Sequence, residues 1–270
     1  MLRLDEHPDS LREWMVGLWR FRGVLVALSR KDFQVRYKRA ALGILWSVAL
    51  PLVQSVAMVF VFSRVGGFGT GQGYSYAGYV LAGMVPWVYV STSVVASTTS
   101  IVEGAGLTDK VWFPRAILAL VPSCSNLVLL GASILILLVE LPIVGVPLRP
   151  RLLLLVPAAA LAVTFSAALG LVLGALYVYF RDLKFMVLAA QLVWLYVTPV
   201  VYPLAALGSA GRALNINPLT GIVGLFQTGA VGSPLPSNLA LGVSTGATAV
   251  LAVVAVAIHR HHDRLFVDLL

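Results

Sequence analysis

Long stretches without a charged residue alternate along this chain with short charged segments. Six such stretches occur, at 40–63, 65–102, 116–139, 152–180, 185–211 and 213–258. A bilayer core about 30 Å thick is crossed by roughly 20 helical residues, so each stretch predicts one membrane-spanning helix. The pattern therefore predicts an all-α polytopic membrane protein with six transmembrane helices and both termini on the same side.

Two of these stretches are longer than a single span requires. The stretch 65–102 opens with the glycine-rich sequence GGFGTGQGYSY, which is typical of a loop. We therefore expect the second helix to begin near residue 75. In 213–258 the turn-forming residues lie before Asn238, and we expect the last helix to begin there.

Composition supports a membrane location. Hydrophobic residues make up 59% of the chain and charged residues 11%, with a mean hydropathy of +0.93. Soluble domains carry about 25% charged residues. The single cysteine, Cys124, lies within an apolar stretch, where it cannot form an intrachain disulfide and is expected to pack as a small apolar residue.

The basic residues indicate an orientation. If the N-terminus is cytoplasmic, fifteen of the nineteen Lys and Arg residues fall in cytoplasmic segments, as the positive-inside rule requires. The net charge of +8 is thus explained by membrane orientation, and we expect no nucleic-acid partner. The predicted organisation is a cytoplasmic or interfacial segment (1–39), a transmembrane domain (40–258) and a cytoplasmic tail (259–270).

A dense basic segment precedes the first predicted span. Ser29 stands three residues before Asp32, the spacing of a capping box, which predicts that a helix begins there. This segment would anchor the start of the first span on the cytoplasmic face. Its basic and aromatic residues serve either as a solvated anchor or as a docking surface for another protein, and they are Lys31, Phe33, Arg36, Tyr37, Lys38 and Arg39.

Catalytic motifs are absent from the sequence. It contains neither a P-loop, G-x-x-x-x-G-K-[ST], nor an H-E-x-x-H zinc motif. Three of the four histidines fall in the predicted tail, where an exposed polar tail explains them better than a metal site. Acidic residues lie at span ends rather than at mid-membrane, where proton relays place them. We therefore expect no enzymatic activity, no metal and no cofactor in this chain, and an energy source elsewhere.

The predicted cytoplasmic loop EGAGLTDKVWFPR, at 103–115, combines charges with aromatic residues. One interpretation is a short helix whose exposed aromatic face enters a groove on a partner. The other is an ordinary interfacial turn with Trp112 at the headgroups. The candidate contact residues are Asp109, Lys110, Val111, Trp112, Phe113, Pro114 and Arg115.

The sequence TPVVYP, at 198–203, carries two prolines within the fifth predicted span. Pro199 lacks a backbone donor and clashes with the preceding turn, so the helix is expected to kink or end there.

Four segments together resemble the type-2 ATP-binding-cassette (ABC) export permeases of bacterial surface polysaccharides, such as O-antigens and teichoic acids. The resemblance covers about residues 25 to 260, with the motifs in family order. The segments are LSRKDFQVRYKRAALGILWSVALPLV, LTDKVWFPRAILAL, YFRDLKFMVLAAQLVWLYVTPVVYP and NPLTGIVGLFQ.

The resemblance implies a homodimer in the bacterial cytoplasmic (inner) membrane, with two ATPase subunits docked beneath it that bind ATP and Mg. The segment matching 107–115 would be the coupling helix, and the segment matching 29–39 the interfacial helix. The segment matching 213–236 would fold back into the outer leaflet and help close the exit. Residues of the outer gate would be Pro199, Pro203, Asn217 and Pro218.

The implied substrate is a lipid-linked polysaccharide. Aromatic rings in the spans could contact the apolar faces of its sugars, although Trp and Tyr near span ends also form interfacial belts. The candidate channel residues are Trp46, Phe60, Phe62, Trp87, Tyr89, Trp194, Tyr196 and Tyr202. Two alternatives stay open: a type-2 permease for a drug or lipid, and a membrane-embedded enzyme or scaffold of envelope synthesis.

Overall fold

The computed structural model describes residues 11–38, 45–64, 73–108 and 113–262, and over these residues the chain is helical with no strand. Three short 3₁₀ helices, at Pro150–Leu154, Leu204–Leu207 and Leu214–Ile216, join longer elements. The α-helices, in chain order, are α1 (Leu11–Arg20), α2 (Arg22–Tyr37), α3 (Leu45–Arg64), α4 (Tyr76–Glu103), α5 (Ala105–Thr108), α6 (Ala116–Ser125), α7 (Leu127–Ile143), α8 (Leu155–Tyr179), α9 (Leu183–Val197), α10 (Gly208–Ala213), α11 (Pro218–Val231) and α12 (Asn238–His262).

Four helical segments are long and apolar enough to cross a membrane, which confirms the predicted class of all-α membrane protein. They are Tyr76–Glu103, Ala116–Ile143, Pro150–Tyr179 and Asn238–Arg260. The described apolar parts of the first and fifth predicted spans are shorter helices, Leu52–Arg64 and Leu183–Val197. The count of six spans therefore stays a prediction.

Two predicted helix starts agree closely with the structure. Helix α4 begins at Tyr76 after Ser75, whose side chain accepts a hydrogen bond from the Gly78 N–H. Helix α12 begins at Asn238. We call the end of the bundle at which α4 begins the Tyr76 end, and the opposite end the Glu103 end.

Helix α4 lies at the centre of the bundle and packs against α3, α6, α7, α8, α9 and α11. Its closest neighbour is α8, which carries the sequence GLVLG at 170–174. A Cβ on Gly170 would lie 2.6 Å from the Cβ of Ser97, and one on Gly174 would lie 3.0 Å from the Ser97 carbonyl oxygen. Because lipid is as apolar as the protein interior, close backbone approach through small residues is what holds such helices together.

The third apolar stretch is interrupted. Pro122 lies inside α6, which ends at Ser125, and α7 begins only at Leu127. A proline within a helix removes a backbone donor and clashes with the preceding turn. The residue between the two helices, Asn126, is fully buried.

The N-terminal helices pack on the Glu103 end. Leu18 of α1 and Leu25 and Leu28 of α2 contact a buried apolar cluster that includes Phe113 and Ile117. The prediction that a helix begins at Ser29 is wrong, because α2 runs without interruption from Arg22 to Tyr37. Ser29 lies in the middle of this helix, and its hydroxyl donates to the Val121 carbonyl oxygen at 3.4 Å.

The boundary of the predicted C-terminal tail also changes. Helix α12 continues to His262. His259 is 1% exposed, and its Nε2 lies 3.1 Å from the Leu171 carbonyl oxygen. This histidine is therefore part of the folded bundle rather than of an exposed tail.

Candidate functional site

The segment predicted to contact a partner lies at the Glu103 end. Asp109, Lys110, Val111 and Trp112 are outside the described residues. Phe113 is 5% exposed and packs in the apolar cluster with Ile117, so an exposed aromatic face does not include Phe113. Arg115 is also buried, and Pro114 is partly exposed. The described part of this segment thus anchors it to the bundle.

The predicted interfacial helix corresponds to the second half of α2. Lys31, Arg36 and Lys38 are exposed on it and Phe33 is partly exposed. Arg39 lies outside the described residues, and of Tyr37 the structure gives only its place at the helix end.

A polar network joins α2 to the break in the third apolar stretch. The Arg36 guanidinium donates to the Asn126 side-chain oxygen at 3.0 Å and to the Asp32 carboxylate at 2.8 Å. Ser125 also donates to Asp32, and Asn126 donates to Ser93 of α4 at 3.0 Å. Movement of α2 is therefore linked by hydrogen bonds to α4, α6 and α7.

Sequence reasoning included Arg36 but missed its partners. Asn126 follows Pro122, Ser123 and Ser125 in an otherwise apolar stretch. Polar side chains in membrane helices commonly bond across helices. This cluster of polar residues could have predicted that Asn126 forms a hydrogen bond between helices. It could not have predicted that the partner is Arg36, which lies 90 residues away along the chain.

The candidate channel aromatics divide into buried and exposed groups. Trp87 is 7% exposed and makes an edge contact with Trp194, with ring centroids 6.3 Å apart. Tyr89 is 3% exposed, and its hydroxyl donates to the Ser123 carbonyl at 2.9 Å. Within the single chain Trp87 and Tyr89 therefore belong to the core, and their place in a channel lining stays a prediction.

Other aromatics are accessible. Phe60 is 65% exposed and Tyr196 is 60% exposed. Phe62, Trp194 and Tyr202 are partly exposed, while the side chain of Trp46 lies outside the described residues. Among the described members of the set, Phe60 and Tyr196 are thus the most exposed.

The predicted gate lies at the Tyr76 end. Helix α9 ends at Val197, two residues before Pro199, as the prolines predict. Asn217 connects this helix end to the start of α11. Its side-chain oxygen accepts from Trp194 Nε1 at 2.9 Å and from the Leu219 N–H at 3.0 Å, and its amide nitrogen donates to the Thr198 hydroxyl at 2.9 Å.

The residues at the two ends of helix α11 explain where it begins and ends. Asn217 caps it and Pro218 occupies its first turn, where a missing N–H costs nothing. The helix ends at Gly232, whose φ of 73° is favourable for glycine. With 14 residues, α11 is too short to cross a bilayer and lies largely buried against α4, α8 and α12.

The turn between Pro199 and Tyr202 leaves backbone carbonyls without helical partners, and side chains from other elements satisfy them. Gln227 Nε2 donates to the carbonyl oxygens of Pro199 and Val200 at 3.0 and 3.2 Å. The Tyr76 hydroxyl donates to Val201 at 2.6 Å, and the Tyr79 hydroxyl to Tyr202 at 3.3 Å. Sequence reasoning identified the prolines but missed these three donors. We call this arrangement the turn latch.

A cavity of about 440 Å³ adjoins the turn latch. Pro199 and Pro203 line it together with Tyr74, Tyr79 and Gln227. Burial raises the pKa of Tyr74 above its usual range. Among the described residues, no group of three or more His, Cys, Asp or Glu side chains could hold a metal ion.

The apolar helices and their internal polar networks define an integral membrane protein. The family model for ABC-2 type transporters matches residues 23–229. The chain belongs to the ABC-2 type transporter family, whose permeases are transporter subunits rather than enzymes and in general pair with an ATPase subunit.

Curated relatives place the chain more narrowly within the family. It is 29% identical over 220 residues to the O-antigen export system permease protein RfbA of Myxococcus xanthus, covering 78% of this chain and 81% of that protein. It is 30% identical over 184 residues to the protein of the same name from Klebsiella pneumoniae, covering 66% of this chain and 68% of that protein.

Proposed function

We propose that this chain is the channel-forming subunit of an ABC exporter that moves O-antigen or a related lipid-linked polysaccharide across the bacterial cytoplasmic membrane. The observation that carries the proposal is the similarity to O-antigen export permeases over about four fifths of both chains. The permease acts as a homodimer with two ATPase subunits, which bind ATP and Mg and supply the energy.

The proposed topology has six spans, with the Glu103 end on the cytoplasmic side. The distribution of Lys and Arg supports this orientation. In it, α2 and the segment 109–115 meet the ATPase subunits, and the turn latch with α11 lies at the outer surface. Helix α11 then serves as the re-entrant outer segment, since buried hydrogen-bond partners make irregular backbone at that depth tolerable.

The polar network around Arg36 supports a coupling role for α2. An ATPase subunit that displaces α2 pulls on Asn126, where the third apolar stretch is already broken. Phe113 and Arg115 fix the end of the coupling segment to the bundle, so that Asp109, Lys110, Val111 and Trp112 are the residues left to enter the ATPase groove.

The function is tested by deleting the gene and examining surface glycan with a lectin or antiserum. Loss of long-chain surface glycan, its accumulation inside the cell and restoration by the wild-type gene are the expected results. Normal surface glycan in the deletion strain, with increased sensitivity to drugs instead, would favour a drug or lipid permease and contradict the proposal.

The topology is tested with single cysteines in a Cys124→Ala background. An impermeant thiol reagent should label Thr70→Cys and Leu235→Cys in intact cells, and Asp109→Cys and His262→Cys only after permeabilisation; Leu235 is 66% exposed. Labelling of Asp109→Cys in intact cells contradicts the six-span orientation.

A further inference from the structure

The cavity beside the turn latch has the size of a ligand site. It measures about 440 Å³ and lies between the turn after α9, helix α11 and the extended segment 233–237. Small-molecule sites usually occupy about 300–1,000 Å³. A cavity of this size can hold a molecule much larger than water.

The lining of the cavity is uncharged, and it is mostly apolar with several polar side chains among the apolar ones. The described side chains around it include Asn215, Thr220, Gln227, Ser233 and Ser237, and none of the described lining residues is Asp, Glu, Lys, Arg or His. A phosphate or carboxylate would lack a cation to bind there. An acyl chain would cover several polar groups without giving them hydrogen bonds, which is costly. The lining therefore favours a neutral ligand that combines apolar faces with hydroxyl groups.

Aromatic faces form one side of the cavity. Tyr74 and Tyr79 stack with ring centroids 5.5 Å apart and an interplanar angle of 27°, and both line the cavity. Tyrosine combines an apolar ring face, which suits the C–H face of a sugar, with a polar hydroxyl. Proline rings at Pro234 and Pro236 add apolar surface to the lining.

Gln227 combines a role in holding the turn with a further acceptor atom. Its Nε2 donates to the Pro199 and Val200 carbonyls, and its side chain also lies within hydrogen-bond reach of the Tyr79 hydroxyl. The side-chain oxygen Oε1 takes part in none of the described hydrogen bonds and can accept one from a hydroxyl group. A ligand bound there would contact the same side chain that holds the turn.

We propose that this cavity binds a sugar unit of the glycan during export, with Tyr74, backed by the buried Tyr79, as the stacking surface and Gln227 as a hydrogen-bond acceptor. The proposal rests on the function proposed above. It assigns a binding site, separate from the exposed aromatics Phe60 and Tyr196, at the turn latch itself.

The test is photo-cross-linking in cells that are exporting glycan. Leu235 lines the cavity and is 66% exposed, so Leu235→p-benzoylphenylalanine places the cross-linker at its edge. The control is the same replacement of Leu239, which is 58% exposed and is not among the residues that line the cavity. We expect glycan adducts, detected by lectin blot, at position 235 and at least fivefold fewer at position 239.

Two variants of Tyr74 then separate binding from passage. Tyr74→Phe keeps the ring and should keep the adduct yield, whereas Tyr74→Ala removes the stacking surface and should lower the yield about two- to tenfold. An unchanged yield in Tyr74→Ala means that glycan passes without binding, and overturns the proposal.

Surface glycan is measured in the same cells. Wild-type export without adducts at position 235, or with phospholipid adducts in their place, overturns the sugar site and leaves the export function standing. Surface glycan that does not depend on this chain overturns the export function itself.

Discussion

At the Glu103 end, apolar side chains of α1, α2, α6, α8 and α12 pack around Phe113. At the Tyr76 end, side-chain hydrogen bonds from Tyr76, Tyr79 and Gln227 hold a turn whose carbonyls have no helical partners. Hydrogen bonds of Arg36 also join helices near the first end, but its apolar cluster is close-packed and resists deformation. Hydrogen bonds can be exchanged one at a time, so the second end can open locally.

The difference suits the proposed division of labour. An unpaired backbone carbonyl in an apolar surrounding costs several kcal/mol, so the turn latch stays closed until a new partner replaces its donors. The close-packed cluster at the other end transmits displacement, because packed interiors deform little. These two kinds of contact are compatible with the proposed roles, transmission at one end and gating at the other.

The largest effect is expected from Phe113→Ala. Truncating a buried phenylalanine costs about 3–5 kcal/mol, and Phe113 is 5% exposed. We expect a clear fall in the thermal unfolding temperature of the purified permease. Leu107→Ala, in the same loop region but 38% exposed, is the control and should change the temperature little.

Trp112→Ala, measured in the same way, separates binding of the ATPase from stability of the permease. If Trp112 enters a partner groove, the unfolding temperature stays near that of the wild type while co-purification of the ATPase falls about tenfold, as for an interface hot spot. Full ATPase co-purification together with wild-type export would show that the segment is only an interfacial turn.

The next largest effect is expected from Asn217→Ala, beside the turn latch. This change leaves Trp194 Nε1 and the Leu219 N–H without their acceptor. Each unsatisfied buried group costs about 1–3 kcal/mol. We expect export to be lost and the purified permease to unfold at a lower temperature. Ile216→Ala, next to it and 68% exposed, should export normally, and a stable, exporting Asn217→Ala would refute the role of Asn217 as a connection.

A smaller effect is expected from Arg36→Ala and Asn126→Ala. Their hydrogen bond is partly buried and should contribute about 1 kcal/mol. Each single change should reduce export several-fold while ATPase binding persists, and the double change should cost less than the sum of the two, because both remove the shared Arg36–Asn126 hydrogen bond. Lys38→Ala removes an exposed charge from the same helix and serves as the control. Independent, additive losses would indicate that the two residues act separately.

The smallest effect on stability is expected from Tyr196→Ala. Tyr196 is 60% exposed, so its truncation should leave the unfolding temperature unchanged. If the ring contacts the glycan, the export rate falls about two- to tenfold. Trp87→Ala is the comparison, since Trp87 is buried and should lose stability first. Unchanged export in both Tyr196→Ala and Phe60→Ala contradicts an aromatic channel lining.

Element type and several boundaries could be predicted from sequence because they depend on local chemistry. Glycines before residue 75 and turn-forming residues before Asn238 mark helix starts that the structure reproduces to within one residue. Pro199 predicts the end of α9 because a proline disfavours helix at the residue before it. Motif order was sufficient to identify the family, since four segments in register are specific even where each alone is not.

The burial of individual side chains could not be predicted from the sequence in the same way. Tyr89 and Tyr196 both lie in apolar stretches, yet one is 3% exposed and the other 60%. In a soluble protein, the alternation of polar and apolar residues separates core from surface. In a membrane protein the lipid is as apolar as the core, so both faces of a helix carry the same residue types.

The sequence by itself determined the helical membrane class, the positions where several helices begin and end, and the family. The tertiary structure decided which side chains meet: Arg36 with Asn126, Gln227 with Pro199 and Val200, and Tyr76 with Val201. These partners are 27 to 125 residues apart along the chain. Local propensity acts over a few residues, whereas a buried carbonyl accepts a hydrogen bond from whichever donor the packing of helices brings within about 3 Å of it.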